Sequence, residues 1–284
     1  MSFIAANGDM VQPAVRRTLP ETGLRTLSAL VLAPVVLAAT YVGTPLFELL
    51  VTAAAIALSW EWTRVCNAER FSAAGGVFVA ATVGAMASGA GGRYDIAVLV
   101  LGIGALATAA TARTTGAGHW RWTAVGVIAI GICCLALIWL RAAPNAGMAA
   151  MFWLFGTVWL TDTGAYFAGR LLGGPKLAPR ISPNKTWSGL LGGVVCAALW
   201  GAVWSGYADA HMATAIGVSA AAAVIAQASD LSVSALKRRF GIKDASRLIP
   251  GHGGVLDRVD GFVLTAPAVA GLAMANPVGV GLPW

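Results

Sequence analysis

Ile249 to Gly261 reads IPGHGGVLDRVDG. Asp257, Arg258 and Asp260 stand there with His252 and four glycines, directly before the last long apolar run of the chain. The surroundings are of the opposite kind. The 284 residues are 58% hydrophobic and only 11% charged. A soluble domain carries about 25% charged residues, so most of this chain has to face lipid. The apolar runs are continuous rather than alternating, which excludes a β-barrel. The expected fold is therefore all-α, a polytopic transmembrane helical bundle. Its 35 glycines suit close helix–helix approach.

Nine apolar segments are predicted, at about 27–43, 45–60, 72–90, 95–112, 123–140, 147–168, 188–206, 212–231 and 262–282. Each is near the ~17–25 residues that cross a bilayer. The first is read as an uncleaved signal anchor, because no short apolar region with a cleavage site precedes it. With the N-terminus in the cytoplasm, 17 of the 19 Lys and Arg fall on the cytoplasmic side, leaving out only Arg93 and Arg141. That bias is the positive-inside pattern. It accounts for the early clusters Arg16–Arg17–Arg25, Arg64–Arg70 and Arg113–Arg121 as topology and anionic-lipid attraction, and no nucleic-acid partner is expected. Trp60, Trp62, Trp120, Trp122, Trp139 and Trp187 at span ends read as interface anchors. Cys66, Cys133, Cys134 and Cys196 form no C-x-x-C pair and read as free thiols. The organisation is then a cytoplasmic segment 1–24, N-terminal membrane helices 25–146, and a catalytic region 147–284 with cytoplasmic loops 169–187 and 232–261.

Chemistry concentrates in that last region. Asp162 lies inside the sixth apolar run, where a carboxylate costs about 3 kcal/mol to insert. Tyr166 and Arg170 follow at four-residue intervals on the same helical face. SPNKT, Ser182–Thr186, is expected to open the seventh helix, with Ser182 as N-cap and Pro183 first in the helix. Asn184, Lys185 and the free N–H groups of that turn then make an anion site. Asp230 closes the eighth run, and Asp257 and Asp260 share a face if the ninth helix begins there. Three acids beside Lys237, Arg238, Lys243 and Arg247 suit a divalent metal plus phosphate, with hard oxygen ligands selecting Mg²⁺. A lone His252 does not make a zinc site. The residues describe a membrane enzyme that joins a phosphorylated water-soluble substrate to a lipid, by phosphoryl or nucleotidyl transfer.

SALKRRFGIKDASRLIPGHGGVLDRVD, Ser234–Asp260, resembles the signature of the phosphatidate cytidylyltransferases, or CDP-diacylglycerol synthases. The matching elements are Ser234, Lys237, Arg238, Lys243, Asp244, Ser246, Pro250, His252, Gly253, Gly254, Asp257, Arg258 and Asp260. TDTGAYFAGRLLG and LAPRISPNKTWSG resemble the family too, as does Glu61–Trp62 more weakly. Ser229-Asp230-Leu231 departs from the family's usual Gly-Asp-Leu but keeps the acid. The resemblance implies that CTP and phosphatidic acid give CDP-diacylglycerol and pyrophosphate, with Mg²⁺ and room for a second cation. It implies metal ligation by Asp230, Asp257 and Asp260, and catalytic charge from Lys237 and Arg238. Substrate contacts fall to Asp162, Tyr166, Arg170, Ser182, Asn184, Lys185, Lys243, Asp244, His252, Gly253, Gly254 and Arg258. It also implies a bacterial inner membrane, a cytoplasm-facing site, and admits a homodimer. Two other classes compete. One is a lipid or polyprenol kinase, or a CDP-alcohol phosphotransferase, whose Asp-Gly-x-x-Ala-Arg element is absent. A transporter would line an ion path with Asp162 and Asp230.

Overall fold

Inside a bilayer the backbone must satisfy its own N–H and C=O groups, so long apolar runs become helices. The computed structural model describes residues 21–67, 70–116, 119–208, 210–249 and 253–276, with side chains from residue 30 onward. The helices are α1 (Glu21–Val42), α2 (Leu46–Cys66), α3 (Ala73–Ala90), α4 (Tyr94–Thr114) and α5 (Trp120–Arg141). After them come α6 (Gly147–Leu172), α7 (Trp187–Tyr207), α8 (Met212–Arg239), the single turn α9 (Leu256–Val259) and α10 (Phe262–Ala275). Between α6 and α7 lies a hairpin of β1 (Lys176–Ala178) and β2 (Ser182–Thr186). Every one of the nine apolar segments coincides with a helix.

Six helices (α2, α3, α4, α5, α7 and α8) are long and apolar enough to cross a membrane. The expectation of nine spans is thus met in part. Leu30–Val42 of α1 and the whole of α10 are shorter apolar helices. The 14 residues of α10 rise about 21 Å, less than the ~30 Å hydrocarbon layer. That helix ends at Ala275, and residues 277–282 of the ninth expected segment lie outside the described residues. The next residue, Asn276, precedes Pro277, and the residue before a proline is pushed out of the helical region.

The interior is formed around α5, whose Val127, Ile130, Ile138 and Leu140 pack with Phe47, Phe78, Leu101, Trp153 and Leu154 from neighbouring helices. Trp62 belongs to this interior, not to the interface belt. It is buried, its indole N–H donates to the Trp122 carbonyl at 2.8 Å, and its ring fills the space beside Gly126. The four cysteines are free thiols, as expected. On α7, Leu191, Val195, Leu199 and Val203 repeat every four residues and are all exposed, a stripe suited to lipid.

The other side of α7 is built of small residues. A Cβ on Gly192 would stand 2.2 Å from the Ala168 Cβ of α6, and one on Gly164 would stand 2.5 Å from the Cys196 sulfur. Packing of α6 on α7 therefore needs glycine at these points, the usual way for membrane helices to gain contact without a hydrophobic driving force. Gly192→Leu is expected to lower the thermal midpoint of the detergent-purified protein. The overpacking penalty is about 1–3 kcal/mol. Gly217→Ala, on α8 with nothing near its Cβ position, is the control and should leave the midpoint unchanged.

Candidate active site

The signature stretch is shaped by a carboxylate from far away in sequence. Glu61, near the end of α2, is fully buried. It accepts hydrogen bonds from the Val255 N–H at 2.8 Å, the Leu256 N–H at 2.7 Å and the Ser246 hydroxyl at 2.6 Å. The stretch folds back on itself, with Ile249 and Gly253 exchanging backbone hydrogen bonds of 2.8 and 3.1 Å. Gly253 has φ +83°, which strongly favours glycine. A Cβ on Gly254 would lie 2.7 Å from the Glu61 carboxylate. These glycines thus allow protein carboxylates to approach the chain. Pro250, Gly251 and His252 lie outside the described residues.

A second carboxylate completes the fastening. Asp257 Oδ2 accepts from the N–H groups of Ala245 and Gly254, both at 2.9 Å, and Oδ1 accepts from Lys237 Nζ at 2.6 Å. Both side chains of this ion pair are largely buried, at 9% and 7% exposure. Lys237 sits on the last turn of α8, since that helix runs eight residues past the predicted end of the eighth segment, to Arg239.

Ahead of this latch the remaining acids gather. Lys185 Nζ of β2 lies 2.5 Å from Asp230 Oδ2 and 2.9 Å from the buried Gln227 amide oxygen, both on α8. Ser234 donates to Asp230 Oδ1 at 3.2 Å. The Ser229 hydroxyl donates to the Asp260 carbonyl and in turn accepts from the Leu264 N–H, pinning the start of α10 beside α8. Burial, and then the neighbouring Asp230 carboxylate, push the Asp260 carboxyl up to about 7, with Asp162 adding in the same sense and Lys237 opposing. The site is a group of carboxylates from three helical elements, interleaved with two lysines.

The other candidates are placed as follows. SPNKT is strand β2, not the start of α7. Thr186 is the N-cap, accepting from the Gly189 N–H at 3.0 Å. Pairing with β1 holds Ser182 and Pro183 extended, and the hairpin projects Lys185 toward α8 while Asn184 stays exposed. Arg238 fastens the hairpin rather than the acids: its guanidinium donates to the carbonyls of Ile181 at 3.2 Å and Ile242 at 3.0 Å. Asp162, Tyr166 and Arg170 do share a face of α6 and are exposed, and Arg170 donates to the Tyr166 hydroxyl at 2.6 Å. Lys243, Asp244 and Arg258 are exposed on the surface around the loop. Four contributors were missed as site residues: Glu61, Gln227, Ser229 and Ser246. A carboxylate directly at the end of an apolar run, in the Glu61–Trp62 element of the resemblance, was a signal available for Glu61. Gln227 and Ser229 are neutral residues with no such mark, whereas Ser246 stands among the matching signature elements.

Comparison with known proteins now bears on this geometry. Residues 23–275 match the model of the cytidylyltransferase family. The chain belongs to that family. A Brucella suis protein called phosphatidate cytidylyltransferase is 40% identical over 247 residues, 85% of this chain and 89% of its own. Proteins of the same name from Rickettsia bellii and Staphylococcus epidermidis are 43% identical over 151 residues and 45% over 125. These cover 50% and 43% of this chain, and 65% and 48% of their own. In this family member the signature stretch is held by carboxylates at its back.

That hold is open to test. Glu61→Gln replaces one accepting oxygen by an N–H₂ group and leaves a buried donor without an acceptor, at about 1–3 kcal/mol. Backbone amides of Val255 and Leu256 should exchange hydrogen faster, while those of the α6–α7 pair should not change. Equal protection of both regions would show that Glu61 does not fasten the loop.

Proposed function

We propose that the chain is a phosphatidate cytidylyltransferase, transferring the cytidylyl group of CTP to phosphatidic acid with release of pyrophosphate. The observation that carries this reading is the Asp230–Asp260 pair flanked by Lys185 and Lys237, within a chain of the cytidylyltransferase family. We further propose that the N-terminus and the site face the cytoplasm of a bacterial inner membrane, where CTP is available and phosphatidic acid arrives laterally. The bias of Lys and Arg supports that orientation. Whether all nine apolar segments cross the bilayer belongs to the same proposal.

The donor set fits a divalent cation. Asp230 and Asp260 bring hard carboxylate oxygens to one place, and their mutual repulsion is what a cation relieves. Among the described residues no three His, Cys, Asp or Glu side chains form a metal cage by themselves. Mg²⁺ takes one or two carboxylates and completes its shell with water and substrate phosphate, so Asp230 and Asp260 would be the protein's ligands to it. Asp257 has both oxygens engaged and joins the ligands only by giving up Lys237 or the loop amides. Asp230 and Asp260 would hold the ion, which would supply positive charge to the reacting and departing phosphates.

The chain's own residues do the remainder. A phosphatidate oxygen attacks the α-phosphorus of CTP; the new P–O bond forms as the bond to the β-phosphate breaks, and pyrophosphate takes the electron pair. The nucleophile is already ionised at neutral pH, so no general base is needed. Lys185 is held on Asp230 and Gln227 at the edge of the hairpin, in position to exchange those partners for phosphate oxygens. Lys237 stays locked to Asp257 and keeps a fixed positive charge behind Asp260. Asp162, Tyr166, Arg170, Ser182, Asn184, Lys243, Asp244, His252 and Arg258 are proposed to line the approaches for nucleotide and lipid headgroup.

Detergent-purified protein given CTP, Mg²⁺ and phosphatidic acid should release pyrophosphate, and omission of the lipid should stop it. Asp230→Asn and Asp260→Asn should each lower kcat on the order of 100-fold or more with the fold retained. Asp257→Asn should instead lower the thermal midpoint along with activity. A folded wild-type sample that releases no pyrophosphate leaves solute transport as the better reading.

A further inference from the structure

Arg64 and Arg70, at the end of α2 and beyond it, look from sequence like topology signals alone. In the fold they join Arg239, from the last turn of α8, around a single cavity of about 800 Å³. His119, Asn67 and Ser72 also line it, and among the described lining residues there is no Asp or Glu. An adjoining cavity of about 570 Å³ shares His119 and Arg239 and adds Arg121, Trp120 and Trp122. Three of these guanidiniums rest on indole rings, Arg121 at 5.1 Å from the Trp120 ring centroid among them. Arg239 lies 5.1 Å from the Trp122 ring centroid and Arg64 lies 4.6 Å from that of Trp60. Ser72 is the N-cap of the 18-residue helix α3, so the positive end of that helix also opens here.

Positive groups spread over a convex surface would serve topology equally well. Convergence of three arginines on one concave cleft instead raises the local potential and selects an anion. We propose that this cleft is a second anion site, separate from the Asp230–Asp260 site, and that it takes a phosphate ester: the headgroup phosphate of an anionic phospholipid or the phosphate of a free nucleotide. Arginine forks suit phosphate oxygens. The rim of Trp120, Trp122 and the exposed Phe71 suits the headgroup layer. Occupancy also reaches the signature stretch. Ile242 and Ala245 form part of the wall, and the Ala245 N–H is one of the three donors to Asp257.

The test uses the intact chain in detergent and reads binding, not turnover, so it stands or falls independently of the cytidylyltransferase reading. Lipid retention is measured by native mass spectrometry with phosphatidylglycerol against phosphatidylcholine. Thermal protection is measured with CMP and with inorganic phosphate. The variants are Arg70→Gln/Arg239→Gln and Arg70→Lys/Arg239→Lys. The wild type should retain phosphatidylglycerol over phosphatidylcholine, the Gln pair should lose affinity on the order of tenfold, and the Lys pair should keep most of it. Protection by CMP or phosphate that the Gln pair alone loses, without lipid discrimination, supports the site and assigns it to free phosphate. Indistinguishable behaviour of wild type and Gln pair toward all four probes overturns the proposal. If the Gln pair does not fold, single Arg70→Gln, a change at an exposed side chain, carries the same comparison with a smaller loss.

Discussion

The Glu61 carboxylate is the constraint on which the catalytic end depends. It is buried in α2, and among the described residues its hydrogen bonds come from no basic group. A buried carboxylate is tolerable only when its lone pairs are occupied. Here the occupants are two backbone N–H groups and a hydroxyl, all from the Ser246–Leu256 stretch. The dependence is mutual. Without the loop, Glu61 is an uncompensated charge; without Glu61, the first turn of α9 has orphaned donors. This lets a glycine-rich segment with little apolar surface take a defined shape against the helices.

The same logic repeats one layer further in. Asp257 is satisfied by Lys237 and two loop amides, so it is a fixed part of the frame. Asp230 and Asp260 are different. Their proximity is enforced by Ser229, which ties the Asp260 backbone and the start of α10 to α8, while their charges repel. Burial first, and then the Asp230 charge, disfavour the ionised form of the Asp260 carboxyl. The proposed cation and substrate phosphates would supply charge that relieves this cost. Lys185 offsets part of the Asp230 charge through its ion pair.

The sequence made the helices legible because each apolar run is long and continuous, and the nine segments coincide with nine helices. It also made the polar cluster legible, since charged residues are costly in such a chain. What it concealed was direction. SPNKT carries every local mark of a helix start, with Ser182 and then Pro183, yet pairing with Lys176–Ala178 makes it a strand and moves the cap to Thr186. Local capping preference is worth about 1 kcal/mol and is readily outweighed by tertiary contact. Gly253 and Gly254 were legible as points of close approach, but the approaching group is a protein carboxylate supplied from nearly 200 residues away. No spacing rule within the signature could reveal that partner. Trp62 was misplaced for a related reason: its end-of-span position is shared with true interface residues, and only the packing against Gly126 separates them.

The last turn of α8 shows how these parts are joined. Lys237, Arg238 and Arg239 are consecutive, so their side chains leave the helix about 100° apart. Lys237 turns inward to Asp257 and the frame of the acid site. Arg238 turns to Ile181 and Ile242, fastening the hairpin that presents Lys185. Arg239 turns away, onto Trp122 and the basic cleft. Three like charges in succession oppose one another, but at a helix C-terminus the dipole offsets part of that repulsion. Extension of α8 beyond its apolar segment is therefore no incidental overhang. It sets three cations at fixed angles, and any small rotation of that turn moves the acid site, the hairpin and the cleft together.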